Sequence, residues 1–129
     1  MAVTKLHREF YEIAMQGDDW QLPEGYAPGG GVDELPLSGS LDAVEKRGSR
    51  TRLLRFQPGV FTTKPFVHDY WEEVFLIEGE LTVGNDEQGH GGETFKAPTY
   101  ACRPPGVYHG PFRSPTGCLL LEIHYYDPA

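Results

Sequence analysis

Cysteine is scarce in this chain, which has only Cys102 and Cys118 among its 129 residues. Two cysteines do not make the disulfide framework that is typical of small secreted domains. We therefore predict a cytoplasmic protein whose thiols stay reduced. Both cysteines are predicted to be small packing residues and not catalytic nucleophiles.

Positive charge and long apolar runs are also lacking. The chain has 11 lysines and arginines against 19 aspartates and glutamates, a formal net charge of −8, which argues against nucleic acid or an anionic membrane as a partner. No apolar run approaches the roughly 20 residues that span a bilayer. The first ten residues, MAVTKLHREF, lack the apolar core of a signal peptide. These absences favour a small-molecule partner.

Convincing helical periodicity is rare, and turn formers are common, with 16 glycines and 11 prolines. Short apolar segments between Gly/Pro turns predict an all-β sandwich or barrel over residues 38–129, with strands beginning at Gly48. Residues 1–37 are predicted to be an N-terminal arm and a Pro/Gly-rich loop packed on the barrel. Residues 1–20 have spacing that fits either a helix or an edge strand, and 20–39 are predicted to be loop. The length suits one domain.

The stretch from Pro58 to Gly84 combines chemistry-bearing residues with a buried strand. His68 and Glu72 are four residues apart, and an apolar run from Val74 to Ile77 predicts a strand that turns at Gly79. Alternation places Glu72 on the inward face with Val74 and Leu76. A carboxylate there is costly unless it is paired or bound to metal. If the register slipped by one residue, Glu73 would take its place.

A second stretch, Gly91 to Phe112, ends in a rigid Pro104-Pro105-Gly106 turn followed by His109. This turn predicts a strand that returns beside the first one. A small barrel would then bring His68, Glu72 and His109 onto one divalent metal ion, for which imidazole and carboxylate are good ligands. On the last strand, His124 shares a face with Leu120 and is a candidate for an additional ligand.

These two stretches resemble the two motifs of the cupins, usually written G-x5-H-x-H-x3-4-E-x6-G and G-x5-P-x-G-x2-H-x3-N. The segments His68-x3-Glu72-x6-Gly79 and Pro104-x-Gly106-x2-His109 match. The first motif histidine is Phe66 here, and the closing asparagine is Arg113. The subgroup that the chain resembles is the ChrR-like cupins, whose relatives include acetylacetone-cleaving enzymes. The resemblance covers roughly residues 38–124.

The resemblance implies a double-stranded β-helix, or jelly-roll barrel, with an N-terminal arm that crosses to a second subunit of a homodimer. Phe66 in place of a histidine has two opposite consequences. Either the metal is lost and the site is degenerate, or two histidines and one carboxylate leave open positions for substrate and oxygen, as in non-haem iron oxygenases. We favour retained metal, because His68, Glu72 and His109 all keep their register.

The resulting functional prediction is an oxidoreductase, a non-haem iron dioxygenase that acts on an enolisable diketone or a phenolic. Iron(II) is favoured, and zinc, manganese or nickel would instead support an isomerase, lyase or hydrolase acting on the same type of substrate. The predicted substrate pocket is aromatic with two arginines that would pair with an enolate or carboxylate, and consists of Phe66, Tyr100, Tyr108, Arg55 and Arg103.

A non-catalytic ligand-binding or sensor protein is the alternative. The namesake of the ChrR-like cupins is part of a zinc-containing anti-sigma factor, whose regulatory part has a separate zinc-binding helical domain. The first 48 residues of this chain contain no cysteine, so they hold no H-x3-C-x2-C site. This absence argues against a stand-alone anti-sigma role.

Overall fold

The computed structural model describes residues 5–127, so the first four residues of the predicted arm and the last two of the predicted barrel lie outside the described residues. The described chain is all-β, as predicted. Its seven strands are β1 (Val32–Asp42), β2 (Arg47–Phe56), β3 (Trp71–Val83), β4 (Glu93–Lys96), β5 (Thr99–Arg103), β6 (Phe112–Arg113) and β7 (Cys118–Tyr125). Within this range no helix is long and apolar enough to cross a membrane.

All strand pairs are antiparallel, and β3 is the centre of the arrangement. The strands β1, β2, β7 and β3 lie side by side in that order, and β5 pairs with the first part of β3. The last part of β3 pairs instead with β4 and β6. Long strands that change partners in this way close the two layers of the barrel around one core.

The predicted alternation of β3 and β7 is confirmed. Val74 and Leu76 on β3 and Leu120 on β7 are buried, whereas Phe75 and Ile123, which have the opposite parity, are exposed. The inward residues join one apolar core, which consists of Val32, Leu54, Phe56, Val74, Leu76, Leu81, Phe112, Cys118 and Leu120. This core supports the inner face on which the polar residues of the barrel lie.

Three predictions about the N-terminal segment, β1 and β3 were wrong. The loop predicted for 20–39 ends at Val32, where β1 begins, so a boundary between residues 37 and 38 falls inside this strand. β1 forms despite its proline because it lies at the edge of the order β1-β2-β7-β3, where a missing N–H is tolerated. Residues 5–20 contain neither helix nor strand. This segment is held by side-chain contacts instead, since Arg55 donates to the Met15 carbonyl and stacks on Trp20.

The third wrong prediction is the turn at Gly79, because β3 continues through this residue to Val83. Gly79 has φ of 83° at the point where the register shifts and the partners of β3 change. A side chain here would be blocked, since a Cβ atom would lie 2.0 Å from the Gly117 carbonyl oxygen. Glycine therefore bends the strand without ending it.

We expect Gly79→Ala to destabilise the fold by about 1–3 kcal/mol, because a positive φ and a backbone clash are imposed together. The matched control is Gly84→Ala, where φ is 86° but nothing lies within 4 Å of an added Cβ. Urea denaturation followed by tryptophan fluorescence measures both. Equal losses in the two variants would show that the close approach at Gly79 has no energetic consequence.

Candidate metal centre

Four polar residues form a row across the inner face of the sheet. Glu72 on β3 is paired in register with Arg103 on β5 and with His124 on β7, and His124 is in turn paired with Arg50 on β2. Directly paired residues of antiparallel strands point to the same face of a sheet. The strand register alone therefore places these four side chains side by side, although they are up to 74 residues apart in sequence.

The other two candidate ligands come from loops that meet above this row. His109 is held by a bridge to Phe66, in which each backbone N–H donates to the carbonyl of the other residue, and the Gly106 N–H donates to the His68 carbonyl. Nε2 of His68 lies 4.0 Å from Oε1 of Glu72, and Nε2 of His109 lies 3.6 Å from Oε2. The structure thus brings His68, Glu72 and His109 together, with ligand atoms within 4.8 Å of one another.

Both loop histidines are in the protonation state that a metal requires. Burial lowers the pKa of His68, and it lowers the pKa of His109 to about 4, although Glu72 opposes the shift in both cases. The imidazoles are therefore neutral at neutral pH. Neutral imidazole is the form that binds divalent metals, because a lone pair must be free on the ligating nitrogen.

Glu72 is buried and is already oriented by its neighbours on the sheet. Arg103 donates from Nη1 to Oε2 over 3.0 Å, and Nε2 of His124 lies 2.9 Å from Oε1. Burial and the Glu122 carboxylate act to raise the pKa of Glu72, but the hydrogen bond with His124 opposes them, and the pKa stays below its usual value. The carboxylate is therefore an anion directed at the two loop histidines.

A second buried acid, Glu122, lies on β7 two residues before His124, and the sequence did not single it out for the site. Glu122 accepts hydrogen bonds from Nε and Nη2 of Arg52 at 2.9 and 2.8 Å, and Arg52 also donates from Nη1 to Glu34 over 2.6 Å. Burial acts to raise the pKa of Glu122, but Arg52 and His124 keep it well below its usual value. The sequence does contain a signal for this buried pair, since Glu122 and Arg52 have the same parity as the core residues of their strands.

Glu72, Glu122 and the two loop histidines line a cavity of about 1060 Å³ inside the barrel. One part of its wall is aromatic, with Phe66 stacked on Tyr26 at 5.1 Å between ring centroids and on Phe112 at 6.1 Å. Tyr70 also lines the cavity, stacks on His68 at 4.6 Å and accepts a hydrogen bond from Arg50. The predicted loop thus contributes one wall of the site through Tyr26.

The state of His109 fits a metal ion. Both ring nitrogens of His109 are buried and have no hydrogen-bond partner among the described residues. A buried polar group left in this state costs roughly 1–3 kcal/mol, and native proteins rarely tolerate it without a reason. A divalent ion placed among His68, Glu72 and His109 would satisfy Nε2, and two imidazoles with one carboxylate are a donor set that such ions accept.

Three residues predicted for the pocket lie elsewhere. Tyr100 is 56% exposed on the outer face, paired with Phe75, and Tyr108 is 70% exposed beside His109. Arg55 forms an ion pair with Asp33 on the outer face. Strand parity explains the positions of Tyr100 and Arg55, because residues three apart on a strand point to opposite faces. Tyr100 therefore cannot share the inner face with Arg103, and Arg55 cannot share it with Arg52.

Glu73 does not replace Glu72 in the site. Its carboxylate is on the outer face and accepts hydrogen bonds from the hydroxyls of Tyr100 and Tyr125, at 2.5 and 2.8 Å. Those hydrogen bonds keep the pKa of Glu73 below its usual value. The predicted register of β3, with Glu72 inward, is therefore the one that the structure has.

No family model and no curated protein matches this sequence. Solved structures are similar to this chain, and their fold is that of the cupins. The acetylacetone dioxygenase from Acinetobacter johnsonii is 23% identical, with 99% of this chain and 81% of that chain covered and a TM-score of 0.62. An RmlC-like cupin from Shewanella frigidimarina NCIMB 400 is 20% identical, with 93% of each chain covered and a TM-score of 0.61.

The anti-sigma protein ChrR, solved in complex with SigE from Rhodobacter sphaeroides, is also similar. It is 16% identical, with 88% of this chain and 51% of that chain covered and a TM-score of 0.59. Likeness at these levels of identity establishes architecture. The chain therefore has the cupin fold, an all-β jelly-roll barrel with a His/Glu cluster suited to a divalent metal on its inner face.

Proposed function

We propose that this chain is a metal-dependent enzyme, a non-haem iron dioxygenase that acts on a small enolisable diketone or a phenolic. The observation that carries the proposal is His109 at the wall of a large cavity. Its buried Nε2 has no hydrogen-bond partner within residues 5–127 and lies 3.6 Å from the Glu72 carboxylate. Acetylacetone, which occurs in the name of one structure with the same fold, is itself an enolisable diketone.

When bound to His68, Glu72 and His109, a divalent ion supplies Lewis acidity toward an enolisable oxygen, and iron(II) adds the redox chemistry for oxygen. The remaining work belongs to the protein. Phe66 and Tyr26 offer stacked aromatic faces for a flat substrate. Because Arg50 donates to the Tyr70 hydroxyl oxygen, the Tyr70 proton is free to be donated to a substrate oxygen in the cavity.

The charge of the cavity favours a substrate that becomes an anion. The arginines and glutamates that line it and are not exposed number three of each, and they are Arg50, Arg52, Arg103, Glu34, Glu72 and Glu122. They balance one another, and the two loop histidines are neutral. The other two lining acids, Glu24 and Asp69, are exposed, so solvent screens their charge. A divalent cation would therefore leave two positive charges in excess, which an enolate or phenolate would offset.

We also propose a cytoplasmic homodimer with neither nucleic acid nor membrane as a partner. The net charge of −8 supports the second part of this proposal. Phe75 and Tyr100 support the first, because they are exposed next to each other on the outer face of the sheet, where a second copy would cover them.

Metal analysis tests the proposed enzyme. The wild type, purified with neither added metal nor chelator, is expected to hold about one equivalent of iron. The variant His109→Ala is expected to lose it, since one of three ligands is gone. His90→Ala is the matched control, because His90 is exposed in a turn, and it should keep the metal. Oxygen uptake with acetylacetone and with catechol follows on the iron-loaded protein.

Each outcome separates the candidates. Iron that is lost in His109→Ala, together with oxygen uptake, supports the dioxygenase. Zinc, manganese or nickel in the same place would instead favour isomerase, lyase or hydrolase chemistry. If no metal binds even after reconstitution, the enzyme proposal is wrong, and Phe66 marks a degenerate site of a ligand-binding or sensor protein.

A further inference from the structure

We propose that His124 is a positioning residue that orients Glu72 by donating a hydrogen bond from Nε2, and that it is not a metal ligand. This inference rests on the proposed metal site. His124 was predicted from the sequence as a candidate for an additional ligand. It is 0% exposed, and both of its ring nitrogens have partners in the sheet row.

The Nδ1 contact decides which nitrogen carries the proton. Arg50 donates from Nε to Nδ1 of His124 over 2.8 Å. A guanidinium has no acceptor atom, so Nδ1 must be the acceptor and cannot carry a hydrogen. In a doubly protonated ring the Nδ1–H would face the Nε–H of Arg50 at this distance, and two donors in contact repel each other. The proton of the imidazole therefore lies on Nε2.

A proton on Nε2 directs the ring to the carboxylates and away from a metal. Nε2 lies 2.9 Å from Oε1 of Glu72 and 3.3 Å from Oε1 of Glu122, which are hydrogen-bonding partners for an N–H donor. Ligand-type atoms of His124, Glu72 and Glu122 also lie within 4.8 Å of one another. Neither ring nitrogen of His124 retains a free lone pair, however, because Nδ1 accepts from Arg50 and Nε2 carries the proton. His109 is the opposite case, since both of its nitrogens are without partners among the described residues.

The effect on Glu72 follows from its two hydrogen bonds. His124 holds Oε1, and Arg103 holds Oε2 from the other side at 3.0 Å. The carboxylate is therefore clamped between its neighbours on β5 and β7, with its plane and its distance to the loop histidines set before any ion arrives. Groups that orient a ligand in this way typically change metal affinity by roughly 10–100-fold when they are removed.

The first test compares the same substitution at the two histidines. In His124→Gln, the glutamine Nε2 can replace the donor to Glu72, so this variant should keep about one equivalent of iron(II) or cobalt(II). In His124→Ala the donor is lost, so the variant should still bind the metal but with a dissociation constant raised roughly 10–100-fold. In His109→Gln, a proposed ligand is lost and the metal should be lost with it. Competition with a chelator measures each dissociation constant. If His124→Gln loses metal as completely as His109→Gln, then His124 is a ligand and the inference is wrong.

The second test needs no variant and no activity. In wild-type protein labelled with ¹⁵N-histidine, nitrogen–proton correlation spectra report which nitrogen of each ring carries the proton. We expect His124 to be protonated on Nε2 alone before zinc is added and to remain so afterwards, while the signals of His68 and His109 shift. A proton on Nδ1 of His124 would overturn the inference, and so would zinc-dependent loss of its Nε2 proton.

The two tests also separate this inference from the proposed function. If the wild type binds no metal, the metalloenzyme proposal fails, but the spectrum of the metal-free protein still decides the tautomer of His124. If metal binds and His124 ligates it, only the positioning role fails. Arg50→Met provides a check on the cause. Without the donor to Nδ1, this nitrogen becomes free to take a proton, whereas Glu72 and Glu122 still hold the proton on Nε2, so a signal of a protonated Nδ1 should appear.

Discussion

Replacement of Arg52 by methionine is expected to destabilise the fold by about 3–5 kcal/mol, because the Glu122 carboxylate then stays buried with no cation to balance it. The Arg52 and Glu122 side chains are only 11% and 6% exposed, and two hydrogen bonds join them. Glu34 loses its arginine partner at the same time. The midpoint of urea denaturation, followed by tryptophan fluorescence, measures the loss.

Arg55→Met is the matched control, with the same substitution on the same strand. Arg55 points to the outer face, where it pairs with the partly exposed Asp33 at 3.4 Å, stacks on Trp20 and donates to the Met15 carbonyl. These are exposed contacts, so their loss should cost about 1–2 kcal/mol, less than the loss of Arg52. The double variant Arg52→Met/Glu122→Leu should recover much of the stability that Arg52→Met loses, because removing both charges of a buried pair is often neutral. Equal losses for Arg52→Met and Arg55→Met would contradict the assignment.

The second large effect is expected on metal binding. Glu72→Gln keeps the size of the side chain but removes the negative charge that two imidazoles and one ion require. We expect the dissociation constant for iron(II) to rise at least about 100-fold, since the loss of a ligand should exceed the loss of an orienting group. Calorimetric titration of the metal-free protein with iron(II) under anaerobic conditions, or with cobalt(II), measures it.

Glu73→Gln is the matched control for this experiment, because it makes the same change one residue further along β3. Glu73 is on the outer face with Tyr100 and Tyr125, and the variant should bind metal as the wild type does. A result in which Glu73→Gln weakens binding and Glu72→Gln does not would mean that β3 presents the other face to the metal, against the register described above.

The residues that the sequence predicted well are those for which one strand is enough. Alternation along β3 places Glu72 inward with Val74 and Leu76, and alternation along β7 places His124 inward with Leu120, since successive residues of a strand point to opposite faces. The Pro104-Pro105-Gly106 turn indicated that His109 returns toward the first motif, and it does. The strand predicted after this turn was wrong, since His109 is joined to Phe66 by a single bridge.

The residues that it predicted poorly conflict with strand parity or depend on more than one strand. The predicted pocket contains both Tyr100 and Arg103, which are three residues apart on β5 and therefore point to opposite faces. The sequence predicts a turn at Gly79, because a glycine that ends a strand and a glycine that bends one cannot be told apart until the partner strands are known.

The sequence by itself determined the all-β class, the inward faces of β3 and β7 and the candidate set His68, Glu72 and His109, because these follow from local periodicity, turn chemistry and spacing. The tertiary structure alone decided that Arg50, His124, Glu72 and Arg103 stand in one row. Register between strands that are distant in sequence depends on how all of them pack around one core, and no local pattern encodes it. For that reason the role of His124 changes from a candidate ligand to the residue that orients one.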